Sequence, residues 1–389
     1  RDEGVIEQDL VSEQEDESSC LLEKMVKDHH GIIIDETSML DINQIYSLLK
    51  LIPKTNFRII FVGDPNQLPS IAPGQVLTDL IKGELIPCHN LKVNYRQQQG
   101  SHIIANAIKI VNGETELQPG PDFKTVIASS DQETFDLLTK LVEHLKSRDP
   151  DQMENTVILT PYSKAGFLSS NNLNKMIKPY FNPGASASET WGCFSVGDKV
   201  MQTKNVSKKQ IVNGDVGRIL EVRYKSRGQT FDYLVVEYTI NAHKTIRVRY
   251  NPSEAREQLT LAYVISIHKS QGNGYKTVLI LVPQHYNHGF FNRNMLYTAV
   301  TRAKQNLFLI GGDCHSAIKN KIKPRKTRLW CRLKKVKQPY NRDRNCVICD
   351  LDSPEKKVLL CSHQFCQSCL LEWLKNNETC PICRGSALP

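Results

Sequence analysis

Short apolar runs that stop abruptly at polar residues punctuate the first three quarters of the chain. Ile32-Ile33-Ile34 ends at Asp35-Glu36, Phe57 to Val62 ends at Gly63-Asp64, and Val157 to Leu159 ends at Thr160-Pro161. Val278 to Val282 and Leu307 to Ile310 follow the same pattern. Such runs, with no polar alternation, predict strands buried on both faces, as in a parallel sheet. Amphipathic stretches lie between them, for instance Ile42 to Leu51 and Phe135 to Leu145, and these predict helices. The alternation predicts an α/β architecture with ligands at the carboxyl ends of strands. Residues 194–257 read differently. Val196-Gly197-Asp198, Asn213-Gly214-Asp215 and Asn251-Pro252 are turn signals between β-rich runs such as Val216 to Val222 and Tyr233 to Tyr238. A small barrel inserted into the α/β part is expected there.

Composition adds two asymmetries. The net charge of +9 hides an acidic start, with nine acids and one base in residues 1–23, expected to be solvated and disordered. Residues 315–345 hold twelve Lys/Arg and one acid. We read 316–345 as a basic linker; the run equally fits a localisation signal, and its Lys/Arg cluster offers phosphates an attractive, non-specific field. Seven of the twelve cysteines fall between Cys346 and Cys383, and the other five are scattered. Scattered thiols without a secretion signal fit a reducing compartment, in which a dense cluster means metal rather than disulfides. The apolar runs are far shorter than the roughly 18 residues of a membrane span, so no membrane partner is expected.

Asp35-Glu36 at a strand end is a pair in which one carboxylate can hold Mg²⁺ while the other polarises an attacking water. Gly63-Asp64-Pro65-Asn66-Gln67 follows the next strand, and a Gln there can sense a γ-phosphate. Six segments stand in a telling order: GIIIDETSMLD at 31–41, RIIFVGDPNQLPSIAPGQVLTDLI at 58–81, LKVNYRQQQGSHIIANAIKIVNGE at 91–114, VILTPYSKA at 157–165, LAYVISIHKSQG at 261–272, and MLYTAVTRAKQNLFLIGG at 295–312. Over residues 25–315 this closely resembles the superfamily 1 DNA helicases of the RecD/TraA branch. The resemblance implies a P-loop, RecA-like ATPase core that moves 5′ to 3′ on single-stranded DNA. It implies that Asp35 binds Mg²⁺, Glu36 is the general base, and Gln67 contacts the γ-phosphate of ATP. It also implies that Arg96 and Arg302 are arginine fingers. Thr160, Tyr162, His268, Lys269 and Ser270 match segments resembling the family's single-strand contacts, and 194–257 resembles its SH3-like insertion.

Two departures qualify this likeness. Asn273-Gly274 follows HKSQG where the family commonly has a Glu, and none of the 21 glycines is followed by Lys. A Walker A phosphate loop ends in Gly-Lys-Ser/Thr, because backbone N–H groups and the Lys cradle the phosphates. The expectation is therefore an N-terminally incomplete core, a fragment that hydrolyses ATP poorly by itself.

The C-terminal pattern is C-x2-C-x11-C-x-H-x2-C-x2-C-x10-C-x2-C from Cys346 through Cys383. Eight soft ligands in four pairs suit two tetrahedral zinc ions. The spacing resembles the RING finger over 346–385. The resemblance implies interleaved ligation: Cys346, Cys349, Cys366 and Cys369 on one zinc, Cys361, His363, Cys380 and Cys383 on the other. It also implies a ubiquitin-conjugating enzyme docked on Ile348, Trp373 and Pro381, with Arg384 contacting ubiquitin.

The organisation expected is thus an acidic segment (1–23), the C-terminal half of a first RecA-like domain (24–93), a second RecA-like domain (94–193 and 258–315) interrupted by an SH3-like insertion (194–257), a basic linker and a RING finger. The function expected is the C-terminal portion of an ATP-dependent DNA helicase carrying a ubiquitin ligase module. The alternative is a ubiquitin ligase whose ATPase-inactive helicase remnant only targets nucleic acid. A RING implies a eukaryote or a virus of eukaryotes, and location in nucleus or cytoplasm rather than secretion.

Overall fold

The computed structural model describes residues 30–52, 57–84, 86–91, 100–149, 153, 155–184, 186–206, 209, 211–225, 230–241, 244–287, 289–320, 322, 346, 356–359, 363–375 and 377–381. The acidic segment and nearly all of the basic linker lie outside these residues. Two compact units are present: 1–63, 69–90 and 325–389 form one, and Asp64–Leu68 with Leu91–Pro324 form the other.

In the first unit, β1 (Gly31–Ile34) and β2 (Arg58–Phe61) pair in parallel, with Ile33 opposite Ile60. Helix α1 (Ile42–Leu51) starts at Asp41, whose carboxylate accepts from the N–H groups of Asn43 and Gln44, while the Gln44 side chain reaches back to Asp41 N–H. This reciprocal pairing satisfies helix-end donors that would otherwise lack partners. Helix α2 (Val76–Gly83) buries Val76 and Leu77. The expectation of strands buried on both faces fails here: Ile33 is 69% and Ile60 54% exposed. Two strands alone have one covered face, and no described element lies over the other.

The second unit opens with α3 (His102–Asn112), capped by the Ser101 hydroxyl and ended by Gly113 at φ +84°. There follow β3 (Phe123–Ile127), α4 (Asp131–Arg148), β4 (Thr156–Thr160) and α5 (Ser170–Phe181). A hairpin of β5 (Thr190–Trp191) and β6 (Phe194–Ser195) leads into β7 (Lys199–Gln202), β8 (Val216–Tyr224), β9 (Phe231–Asn241) and β10 (Lys244–Tyr250). Then come α6 (Pro252–Gln258), β11 (Leu259–Leu261), β12 (Val264–Ser266), β13 (Tyr275–Val282), α7 (Arg293–Val300), β14 (Ala303–Gly311) and α8 (His315–Lys319).

Five strands form an all-parallel sheet in the order β12-β4-β13-β14-β3. Here the continuous apolar runs do mean burial on both faces: every residue of β4 is buried, as are Thr277 to Val282 of β13. The expected barrel is an antiparallel sheet in the order β10-β9-β8-β7-β11. It extends past the expected boundary at 257, because β11 adds an edge strand beside β7. Asn251-Pro252 is not a turn but the start of α6: Asn251 accepts from Glu254 N–H, Glu254 caps back, and Pro252 takes the first helical position.

A fully buried carboxylate ties insertion to core. Asp198 accepts from Lys178 Nζ at 2.7 Å, Asn182 Nδ2 at 2.8 Å, Ser195 N–H at 2.7 Å and Tyr263 Oη at 2.8 Å. Those partners come from α5, β6 and the β11–β12 connection, so one charge, satisfied on all sides, fixes three segments.

Candidate functional site

The carboxylate pair sits where β1 ends. Thr37 Oγ1 donates to Ile34 O, Thr37 N–H donates to Val62 O, and Glu36 N–H donates to Asp35 Oδ1. Gly63 permits this junction, since a Cβ there would lie 2.9 Å from Leu77 Cδ2 and 3.1 Å from Thr37 N. Glu36 has φ +49° and ψ +38°. A glutamate in the left-handed region pays roughly 1–2 kcal/mol, and such strain persists only where surrounding structure enforces it. Ser38 Oγ, one turn on, is buried with no hydrogen-bond partner.

Gln67 belongs to the second unit, not to the first domain as expected, and four side chains explain why. Tyr297 Oη donates to Asp64 Oδ2 at 2.7 Å, and Asn294 Nδ2 donates to Asn66 O at 2.9 Å. Thr298 Oγ1 accepts from Leu68 N–H at 2.9 Å, and Gln271 Nε2 donates to Leu68 O at 3.1 Å. Asn294, Tyr297 and Thr298 stand three and four residues apart, which places them on one face of α7. The loop carrying Gln67 is therefore held by the helix before Arg302 and by the HKSQG segment. Gln67 Oε1 is itself buried without a partner. Thr298→Val keeps the shape but strands the buried Leu68 N–H, so denaturant unfolding of the second unit should show a loss of about 1–3 kcal/mol.

Arg302 is fully buried; its guanidinium donates to Thr298 O, Asn273 O and Thr301 Oγ1. In this conformation the guanidinium caps the C-terminal end of α7 and the Asn273 turn rather than projecting as a finger. Arg96 lies outside the described residues.

The proposed strand contacts divide. Thr160 and Ser270 are fully buried and turned inward, their hydroxyls donating to Leu168 O and Ile267 O. The expectation that Thr160 and Ser270 contact the strand is corrected for their hydroxyls, which shape their own segments. Lys269 is exposed. Tyr162 and His268 are half-buried, and burial pulls the His268 pKa below its ordinary value, favouring the neutral ring. Both rings meet Phe290, which the sequence reading missed because no motif contains it. Tyr162 stacks on Phe290 with centroids 5.2 Å apart and planes 12° off parallel, and His268 lies 5.8 Å from Phe290.

In the C-terminal module, β15 (Lys356–Val358) pairs antiparallel with β16 (Gln364–Cys366), and α9 (Gln367–Leu374) follows. The sulfurs of Cys346, Cys366 and Cys369 lie within 4.8 Å of one another. Separately, Cys380 Sγ lies 3.5 Å from His363 Nδ1. These groupings match the interleaved pairing for every ligand described; Cys349, Cys361 and Cys383 lie outside the described residues, as do Ile348 and Arg384. The Ser368 hydroxyl, and then the Cys369 thiol, lower the Cys366 pKa, which shifts it toward the thiolate, the form able to ligate a metal. Trp373 is half-buried, its Nε1 donating to Thr379 O at 2.8 Å, and Pro381 is half-buried.

Residues 8–129 match the AAA domain family, 173–238 the SH3 domain of ATP-dependent RecD-like DNA helicases, 261–310 the UvrD-like helicase C-terminal domain, and 344–384 the RING finger domain. The chain carries RecD-like helicase domains followed by a RING finger. The ATP-dependent RecD2 DNA helicase of Deinococcus radiodurans is 30% identical over 293 residues, 72% of this chain and 36% of that protein. The RecBCD enzyme subunit RecD of Mycolicibacterium smegmatis is 26% identical, covering 73% of this chain and 50% of that protein. This chain thus spans half or less of these two helicase relatives. Its RING finger is 46% identical over 43 residues to the human E3 ubiquitin-protein ligase RNFT2. Among solved structures, Pif1 helicase from Bacteroides in complex with ADP-AlF3 and ssDNA aligns over 81% of this chain and 78% of that one, at 17% identity and a TM-score of 0.48. Among the described residues of the RecD-like and RING parts, no helix is long and apolar enough to cross a membrane.

Proposed function

We propose that this chain belongs to an ATP-dependent DNA helicase that moves 5′ to 3′, with a RING finger that activates a ubiquitin-conjugating enzyme, acting in nucleus or cytoplasm. One observation carries the motor reading most strongly. The Gln67 loop is held by α7 and by Gln271 of the HKSQG segment. A loop that carries the γ-phosphate sensor and is hydrogen-bonded through Leu68 to a strand-contacting segment supports a coupling of hydrolysis to strand movement.

In this reading Asp35 holds Mg²⁺, which would neutralise charge on the transferred phosphoryl group, and Glu36 takes the proton of the attacking water. Arg96 and Arg302 stabilise the transition state, with Arg302 released from its present carbonyl partners. Tyr162, His268 and Lys269 hold single-stranded DNA. The cysteines and His363 hold two zinc ions that shape the module, and Ile348, Trp373, Pro381 and Arg384 form its docking surface for the conjugating enzyme and ubiquitin.

Two assays test the reading. A polypeptide that also supplies a phosphate loop should open a forked duplex bearing a 5′ single-stranded tail and leave a 3′-tailed one closed; the reverse preference refutes the polarity. The chain should discharge ubiquitin from a charged conjugating enzyme, and Trp373→Ala should abolish discharge while keeping zinc. Equal discharge by Trp373→Ala, or none by the parent across a broad panel of conjugating enzymes, refutes the ligase assignment.

A further inference from the structure

Phe290 is 40% exposed, while its backbone is held by hydrogen bonds and its ring by two neighbouring rings. Its own N–H and that of Phe291 both donate to Asn287 O at 2.9 Å, and Asn292 Nδ2 donates back to Phe290 O at 2.9 Å. Asn287 N–H donates to Tyr162 Oη at 3.0 Å, which pins the turn to the segment after β4. Phe291, fully buried, anchors the same turn edge-on against Tyr286. A large apolar ring held rigid at the surface has already lost its conformational entropy, so a flat ligand meeting it pays little for ordering. Tyr162 backs the ring in a near-parallel stack, and His268 flanks it at 35°. Lys269, beside His268, is exposed and supplies a positive charge for a backbone phosphate.

From this arrangement we infer that Phe290 is the exposed member of a stacking platform, with Tyr162 and His268, that takes a nucleobase of single-stranded DNA. The inference rests on the strand-binding reading above. Stacking on an aromatic ring is indifferent to base identity, since every base has a π-face. The platform therefore grips a strand without reading it, as a translocating protein must. It also gives the base a role beside the phosphate contacts, which alone cannot distinguish a strand with bases from one without.

The test is a titration of the 389-residue chain with a labelled oligothymidylate, and with an oligomer of equal length and charge whose central nucleotides are abasic. The parent chain should bind the abasic strand more weakly by about 5- to 150-fold, the range that one base–aromatic stack supplies. Phe290→Ala and Phe290→Leu should weaken binding of the intact strand by a similar factor and no longer distinguish the two, whereas Phe290→Trp should keep the distinction. Undiminished discrimination in Phe290→Ala, or parent-like affinity of both variants for the intact strand, overturns the platform while leaving strand binding in place. Failure of the parent to bind either oligomer at low salt overturns the strand-binding reading and the platform with it.

Discussion

Cys346→Ser should remove one zinc ion and unfold the whole module from 346 to 385. The module is about 40 residues, too short to bury a sufficient apolar core, and chains of that size depend on metal or disulfides. Its described core is small: Leu359, Phe365 and Leu370 packed among Cys346, Cys366 and Cys380. Structural zinc supplies roughly 10–16 kcal/mol of apparent binding free energy in zinc-finger peptides, and in the zinc-bound module proposed above it would be folding free energy. Cys346 comes from before β15, whereas Cys366 and Cys369 lie at the end of β16 and within α9, so their cluster ties the start of the module to its middle. His363 and Cys380 tie the strand β16 side to the residues after α9 in the same crossed manner. Metal analysis should give two zinc ions per chain, and a strong chelator should abolish ordered structure in the module. A count of zero or one would break the ligand assignment. Full structure in Cys346→Ser would show that the sites do not depend on each other.

Glu36→Gln, in a polypeptide that supplies the phosphate loop, should lower DNA-stimulated ATP turnover by about 10²- to 10⁴-fold, the usual contribution of a general base. Nucleotide binding should survive, because the amide is isosteric and the proposed metal ligand Asp35 is untouched. Glu36→Gly separates chemistry from backbone: it should lose the same turnover, while relief of the left-handed strain offsets the added freedom of glycine in the unfolded chain. A Glu36→Gln variant with parent turnover would remove Glu36 from the chemistry.

The α/β core was legible because each element announced itself locally. The buried runs of β4 and β13, the amphipathic α1 and α4, and the ordered motifs around Asp35, Gln67, Lys269 and Arg302 all lie within short windows of sequence. The cysteine module was legible for the same reason, since its paired Cys and His stand in one short window whose spacing resembles a RING finger. What escaped the sequence depends on partners distant along the chain. The Gln67 loop joins the second unit because α7, some 230 residues later, presents Asn294, Tyr297 and Thr298 on one face. Phe290 acquires meaning only when Tyr162 stacks on it. The inward hydroxyls of Thr160 and Ser270 answer to nearby carbonyls, which a motif cannot show. Asn251-Pro252 is different: Asn, Pro and a Glu three residues after the Asn are a helix-start signature, and that signal was there to be read.

The most direct measurement of the central claim is the affinity of this chain for a labelled single strand across a salt series, beside a duplex and strands of different sequence. Tyr162, His268, Phe290 and Lys269 call for a grip on phosphates and π-faces. The logarithm of affinity should therefore fall linearly with the logarithm of salt, by about 0.7 for each phosphate neutralised. Sequence should matter little, and the single strand should be bound more tightly than the duplex. Binding that is absent at low salt, confined to one sequence, or tighter to duplex would contradict the account.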